Sequence, residues 1–160
     1  MIVGMSTPTS APPSRVPWPP LLFVGSLAIG IGLHLVWPIP LWTGHKLWIA
    51  GIVVMLVALA ITFWAHHELA AAHTTIRPDR ASSALVTTGP FAWTRNPLYV
   101  TLIVLGVGVA LLINDMWPLL ATALLALGLN YIVIPNEERH LRERFPEQYA
   151  QYTRRVRRWL

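Results

Sequence analysis

Four apolar runs divide this chain, and polar or proline-rich segments separate them. The runs cover residues 21–37, 47–64, 98–113 and 117–134. Each is close to the length of roughly 17 residues at which an apolar helix begins to span a bilayer. Tryptophans flank the runs where aromatic side chains mark the two membrane surfaces. The pattern predicts an all-α polytopic membrane protein with four transmembrane helices.

Short polar segments join the apolar runs in pairs. Residues 38–44 hold two prolines and a glycine, which are typical of a turn between the first two runs. Only residues 114–116 separate the last two runs. Each pair should therefore form an antiparallel hairpin. The second hairpin returns residues 135–138 to the membrane face that carries residues 89–97.

The connection between the two hairpins is longer than an ordinary loop. It runs from residue 74 to residue 97, and loops of this length are often functional. Asn96 and Pro97 suit the N-cap and the first position of the third helix. At the end of the fourth run, Pro135 is expected to end or kink the helix, and Asn136 to cap a new one.

The tail after the fourth run is amphipathic. Apolar side chains recur every three or four residues between arginines and glutamates, which predicts cytoplasmic helices with one apolar face. Pro146 should begin a second short helix. Such a tail could lie on anionic lipid or fold over a pocket, and the sequence leaves both readings open. The apolar positions are Leu141, Phe145, Tyr149, Tyr152, Val156 and Trp159.

Composition and charge agree with a membrane protein. Hydrophobic residues make up 54% of the chain and charged residues only 12%, about half the charged fraction of a soluble domain. All 12 lysines and arginines except Lys46 lie before the first run, in residues 65–97 or in the tail. Because basic loops stay in the cytoplasm, both termini should be cytoplasmic. The net charge of +5 then reflects orientation, and no nucleic-acid partner is expected.

The rest of the chain adds little recognisable chemistry. Residues 1–17, rich in proline, serine and threonine, are expected to form a disordered leader before a single domain at residues 18–160. His66, His67 and His73 suggest a metal site, but the H-E-x-x-H pattern would need a histidine at Ala71. No metal is therefore expected. His34, near the end of the first run, is given a structural or interfacial role.

Two motifs remain that helix capping does not explain fully. The first reads GPFAWTRNPLY at residues 89–99, and the second begins at Glu137 and Glu138 and reads EERHLRERFPEQYAQYTRRV at residues 137–156. Capping and basic-loop rules explain Arg95, Asn96 and Pro97 one by one, but not the aromatic residues crowded around them. Together the motifs suggest a polar pocket at the membrane surface.

Both motifs resemble those of the integral membrane methyltransferases that include isoprenylcysteine carboxyl methyltransferases and phospholipid methyltransferases. The first is similar to G-x-[YF]-x-x-x-R-[HN]-P-x-Y, and the second to E-E-x-x-L-x-x-x-F-G-x-x-Y-x-x-Y-x-x-x-V. The likeness covers residues 74–160, which would form the cofactor-binding part. The tail glycine of the family pattern is Pro146 here.

The resemblance implies S-adenosylmethionine as cofactor, and methyl transfer to a small lipophilic or lipid-like substrate from the bilayer. Its implied catalytic residues are Arg95, Glu138 and Tyr99. Arg95 would organise the pocket with Glu137 or Glu138, while Glu138 and Tyr99 are the candidates for a general base. The residues that it implies for the cofactor are Leu85, Val86, Phe91, Asn96, Pro97, Leu98, Tyr99 and Glu137.

One departure from the family pattern bears on the substrate. Carboxyl-methylating members carry an arginine one helical turn before the glutamates, and Val133 stands there in this chain. A buried carboxylate without a cation is costly, so an amine, phenol or thiol is expected instead of a prenylcysteine carboxylate. Two other classes stay open, namely a sterol-reductase-like membrane enzyme that uses NADPH and a non-enzymatic membrane scaffold with a lipid-binding tail.

Overall fold

A computed structural model describes residues 18–44, 47–72 and 84–160 of the chain. The predicted leader, Lys46 and His73 lie outside the described residues. All regular secondary structure in the described part is helical, with a 3-10 turn at Gly89–Ala92 and a π-turn at Leu129–Val133. The helices are α1 (Pro19–Val36), α2 (Leu47–Ala71), α3 (Pro97–Ile113), α4 (Met116–Gly128), α5 (Ile134–Arg144) and α6 (Pro146–Arg155).

All four apolar runs are helical, and the predicted all-α polytopic class is confirmed. Within the described residues, three helices are long and apolar enough to cross a membrane: α1, α2 and the continuous helix Met116–Arg144. The fourth, α3, is equally apolar but has 17 residues, a length of about 26 Å. This approaches the roughly 30 Å of a bilayer's hydrocarbon core. Large apolar side chains on α1 and α2 are exposed, as expected for surfaces that face lipid.

Small residues allow the helices to approach closely. The most extensive helix–helix contact in the described part joins α2 to α3, where Gly51 faces the backbone of Gly108 and Leu112. The next most extensive joins α1 to α4, where Gly30 lies against Pro118. In a membrane, association depends on such close packing because lipid offers little hydrophobic driving force. The glycines therefore set how near these helices come.

Gly51→Ala should destabilise the bundle by about 1–3 kcal/mol, the range for an overpacked core. A Cβ atom at Gly51 would lie 2.6 Å from the Leu112 nitrogen and 2.8 Å from the Gly108 oxygen. Both are backbone atoms, so the helices themselves would have to separate. Gly32→Ala is the matched control because its Cβ would meet nothing within 4 Å. Thermal unfolding in detergent measures both variants, and equal midpoints would contradict the packing argument.

Of the two outcomes predicted for Pro135, an end to the helix is wrong. The helix continues from α4 through the π-turn into α5 as far as Arg144. Pro135 lies in the first turn of α5, directly after the widened π-turn, a local adjustment that membrane helices use to tolerate proline. Asn136 does not cap a new helix, because its side-chain amide donates to the Ile132 carbonyl oxygen at 2.8 Å.

The turn between α3 and α4 is tied to the end of α1. Asn114 has a left-handed backbone, with φ of 55°, and buried Asp115 caps α4 by accepting from the Trp117 N–H at 2.9 Å. The other Asp115 oxygen lies 2.9 Å from His34 Nδ1 and accepts from the Ile39 N–H at 2.7 Å. Burial raises the pKa of Asp115, but these hydrogen bonds outweigh it and hold that pKa below its usual value. The geometry is that of a structural role for His34.

Candidate functional site

The first motif begins in a turn that is held by the end of α2. Gly89 has a φ of +58°, a conformation that favours glycine. A Cβ atom there would also lie 2.6 Å from the Glu68 side chain. Glu68 accepts hydrogen bonds from the Thr88 hydroxyl and from the Trp64 indole at 3.2 Å. The end of α2 thus positions the turn that leads to Arg95 and α3.

Glu138 is the electrostatic centre of the site. It is only 3% exposed, and three guanidinium groups surround its carboxylate. Arg95 Nη1 lies 3.3 Å from Oε1, and Arg142 Nη2 lies 3.2 Å from Oε2. Arg158 forms a two-pronged pair, with Nη2 at 2.8 Å from Oε2 and Nε at 3.1 Å from Oε1. Both carboxylate oxygens are therefore occupied by charged donors.

Tyr149 completes the surroundings of this ion cluster. Its buried hydroxyl accepts a long hydrogen bond of 3.4 Å from Arg95 Nη1. Burial raises the pKa of Tyr149, and the negative charge of Glu138 raises it further. The hydrogen bond to Glu138 raises the pKa of Arg158. Tyr149 therefore stays neutral and Arg158 stays charged at physiological pH.

Glu137, the neighbour of Glu138, points to a different partner. Its Oε1 accepts a hydrogen bond from the hydroxyl of Tyr99, in the first turn of α3. Tyr99 belongs to a buried apolar cluster that also holds Leu129 and Val133. The two glutamates thus divide their tasks. Glu138 pairs with the arginines. Glu137 contacts Tyr99 of α3, next to the buried apolar cluster.

Residues 156–160, which we call the C-terminal strap, lie across the start of α3. The Arg157 carbonyl accepts from the Arg95 N–H at 2.9 Å. The Arg158 carbonyl accepts from the Thr94 hydroxyl and from the Asn96 side-chain amide, each at 3.0 Å. Before the strap, the Tyr152 hydroxyl donates to the Phe91 carbonyl at 2.6 Å. The tail therefore folds over the first motif in this structure.

The structure brings the predicted site residues together in two groups. Arg95 meets Glu138 and not Glu137, while Tyr99 meets Glu137. Asn96 occupies the N-cap of α3 as predicted, but its side chain makes no capping bond because it is bound to the strap. Pro97 is buried at the start of α3. The remaining predicted residues are partly buried, namely Leu85, Val86, Phe91 and Leu98.

Sequence reasoning missed several residues that the fold adds to this site. Arg142 and Arg158 had been counted only as cytoplasmic charges, and Tyr149 only as part of an apolar face. Arg158 and Glu138 lie 20 residues apart and Tyr149 and Arg95 lie 54 residues apart, whereas Arg142 lies one helical turn after Glu138. The i,i+4 spacing of Glu138 and Arg142 and the surplus of arginine over glutamate in the tail were the signals that could have suggested these arginines. Where the chain is described, no group of three or more histidine, aspartate or glutamate side chains could hold a metal ion.

Comparison with known proteins identifies a family. A family model described as phospholipid methyltransferase matches residues 47–148, which is more than half of the chain. The match begins at the first residue of α2 and extends into α6, so it includes both motifs for most of their length. No curated protein and no solved structure matches the chain.

Proposed function

Because the chain belongs to the phospholipid methyltransferase family, we propose that it uses S-adenosylmethionine to methylate a small lipophilic or lipid-like substrate. The observation that carries the proposal is the meeting of Tyr99 with Glu137 beside the Arg95–Glu138 ion pair. This places a carboxylate, an arginine and an apolar wall together at the ends of two membrane helices. The distribution of arginine and lysine supports a cytoplasmic location for this face and for both termini.

The residues at the site fit the proposed cofactor. Arg95 Nε is buried and has no hydrogen-bond partner among the described residues, so it can donate to the carboxylate of an amino-acid group. Glu137 uses Oε1 for Tyr99, which leaves Oε2 for a ribose hydroxyl. Leu85, Val86 and Phe91 would contact the flat adenine, which suits apolar and aromatic surroundings. Residues 96–99, at the start of α3, would line the rest of the cofactor site.

Methyl transfer at this site needs positioning more than acid–base chemistry. When bound, S-adenosylmethionine supplies a methyl group that is activated by a sulfonium. Arg95, Glu137 and the start of α3 would hold the cofactor, and the strap would help to exclude water. Positioning and exclusion of water are the sources of rate that we assign to the chain. Tyr99 fixes the orientation of Glu137, and the strap covers the start of α3. A nucleophile arriving from the bilayer would take the methyl directly.

The contacts of Arg95 and Glu138 favour an organising role for this predicted catalytic pair. Charged donors occupy both oxygens of Glu138, so that carboxylate is poorly placed to remove a proton. The Tyr99 hydroxyl already donates its own proton to Glu137. A free amine, which can attack without first losing a proton, would therefore suit this site, whereas a phenol or thiol would have to lose its proton to water.

The position of Val133 favours a substrate without a carboxylate. Val133 is 3% exposed and packs in the apolar cluster around Tyr99. A carboxylate entering beside it would lose its hydration and gain no cation there. Because Glu138 already engages Arg95, Arg142 and Arg158, recruiting one of these arginines would weaken the ion cluster. Lipophilic amines, phenols and thiols avoid this cost.

Two measurements on purified protein test the proposal. Titration calorimetry should detect binding of S-adenosylhomocysteine, which neither an NADPH-dependent reductase nor a scaffold would bind. A methyl-transfer assay should then show slower turnover of a farnesylated cysteine than of its amide or of lipophilic amines, phenols and thiols. Absence of S-adenosylhomocysteine binding would overturn the proposed enzyme class. Efficient methylation of the farnesylcysteine carboxylate would overturn only the argument from Val133.

A further inference from the structure

The π-turn carries a polar side chain at the edge of the apolar cluster. Asn130 interrupts an otherwise apolar stretch of the helix Met116–Arg144. Its neighbour Leu129 is fully buried, whereas Tyr131 is 72% exposed on the side that faces lipid. Asn130 is partly buried and lies between these two environments. Polar side chains within membrane helices usually serve a function, and π-turns are frequent at functional sites.

Trp159 in the C-terminal strap determines how the Asn130 amide is oriented. The Trp159 indole Nε1 lies 2.9 Å from Asn130 Oδ1. An indole N–H can only donate a hydrogen bond, so the oxygen of the amide must face Trp159. The NH2 group therefore points away from the strap. It has no acceptor among the residues that the structure describes.

An amide NH2 group without an acceptor is costly in apolar surroundings. Lipid tails offer no acceptor to such donors, so leaving them unpaired is unfavourable. Asn130 precedes Glu137 by seven residues, which is about 10 Å along a helix axis. The Asn130 donors therefore lie closer to the apolar middle of the helix Met116–Arg144 than the Tyr99–Glu137 pair does.

We propose that Asn130 determines substrate specificity by donating a hydrogen bond to an oxygen atom of the lipophilic substrate. This inference rests on the proposed function and adds a substrate class to it. The substrate is an amphiphile that carries an acceptor oxygen near its nucleophile, as an ether, ester or hydroxyl does. Trp159 acts as a positioning residue because it aims the amide. Burying the donors against such an oxygen gives them the partner that the protein does not supply.

Matched amphiphiles test this assignment directly. The probes are decyl amines, phenols and thiols, each made with and without one ether oxygen near the nucleophile. We expect wild-type protein to show a KM about tenfold lower for the ether-containing member of the methylated pair, the upper range for one neutral hydrogen bond. Asn130→Leu should abolish this difference by raising the KM of the ether-containing member to that of the oxygen-free member. Asn136→Leu is the control, because Asn136 lies on the same helix and its amide bonds the helix backbone.

Trp159→Phe separates recognition from a structural role. It removes the hydrogen bond to Asn130 but keeps both amide donors. If Asn130 only anchors the strap, Trp159→Phe and Asn130→Leu should have the same effect on all probes. If Asn130 recognises the substrate, Trp159→Phe should keep at least part of the preference for the ether oxygen.

Separate outcomes overturn the inference and the proposed function. The inference fails if wild-type protein does not prefer an ether-containing probe, or if Asn130→Leu weakens both members of a pair equally. The affinity for S-adenosylhomocysteine distinguishes failure of the inference from failure of the proposed function, because Asn130→Leu should leave this affinity unchanged. Intact binding with no preference overturns the inference alone. Loss of binding in the wild-type protein overturns the proposed function on which it rests.

Discussion

Glu138→Gln is expected to lower the free energy of unfolding by about 3 kcal/mol, the lower end of the range for breaking a buried ion pair. The substitution keeps the size of the side chain and removes its charge. Arg95, whose side chain is 14% exposed, would lose its anionic partner inside the protein. Arg142 and Arg158 are more exposed, so water would offset much of the effect of losing the Glu138 charge on these two arginines. Thermal or denaturant unfolding in detergent would measure the change.

A control on the same helix makes this expectation specific. Glu143 is exposed on α5, so Glu143→Gln should change stability by less than about 0.5 kcal/mol. Arg142→Gln should also have a small effect, since its side chain is 61% exposed. If Glu138→Gln unfolds at the wild-type midpoint, the ion cluster does not stabilise the tail, and the strap must be held by its other contacts.

Glu137→Gln is expected to weaken S-adenosylhomocysteine binding by about 1.5–3 kcal/mol, the range for a hydrogen bond to a charged group. This corresponds to a loss of affinity of roughly 10- to 150-fold. A glutamine oxygen can still accept from Tyr99, so stability should change far less than with Glu138→Gln. Calorimetric titration of both glutamate variants, each shown to be folded, would measure the difference.

Tyr99→Phe is the companion variant for Glu137. It removes the hydroxyl that orients the carboxylate and leaves the charge in place. We therefore expect a smaller loss of affinity than with Glu137→Gln. If Glu137→Gln bound S-adenosylhomocysteine as tightly as the wild-type protein, Glu137 would have only a structural role, in α5 and in its contact with Tyr99. The ribose contact would then have to come from another residue.

Local patterns predicted the helices well because a bilayer imposes a simple rule. An apolar stretch in lipid must satisfy its own backbone hydrogen bonds, and a helix does so within one segment. The runs at residues 47–64 and 98–113 therefore became α2 and α3, and Pro146 begins α6 as expected. The helix does not end at Pro135, because a π-turn accommodates the proline in this membrane helix.

The amphipathic tail shows where sequence patterns stop being decisive. Its spacing of apolar residues suited either a lipid surface or a lid over a pocket. In the structure, Tyr149 and Tyr152 are buried, and the strap pairs with Thr94, Arg95 and Asn96. Whether the tail lies on lipid or folds over the first motif depends on the fit between two segments about sixty residues apart. A local pattern of apolar residues carries no information about that fit.

The sequence by itself determined the class of the protein, its helices and the two motifs at residues 89–99 and 137–156. These follow from hydrophobic length, helix propensity and short-range chemistry, which act within a few residues of each other. Only the tertiary structure decided that Arg95 pairs with Glu138 while Tyr99 takes Glu137. It also placed Trp159 on Asn130. These pairings depend on how helices rotate and pack against one another, because a turn of about 100° per residue sends neighbouring glutamates to different partners.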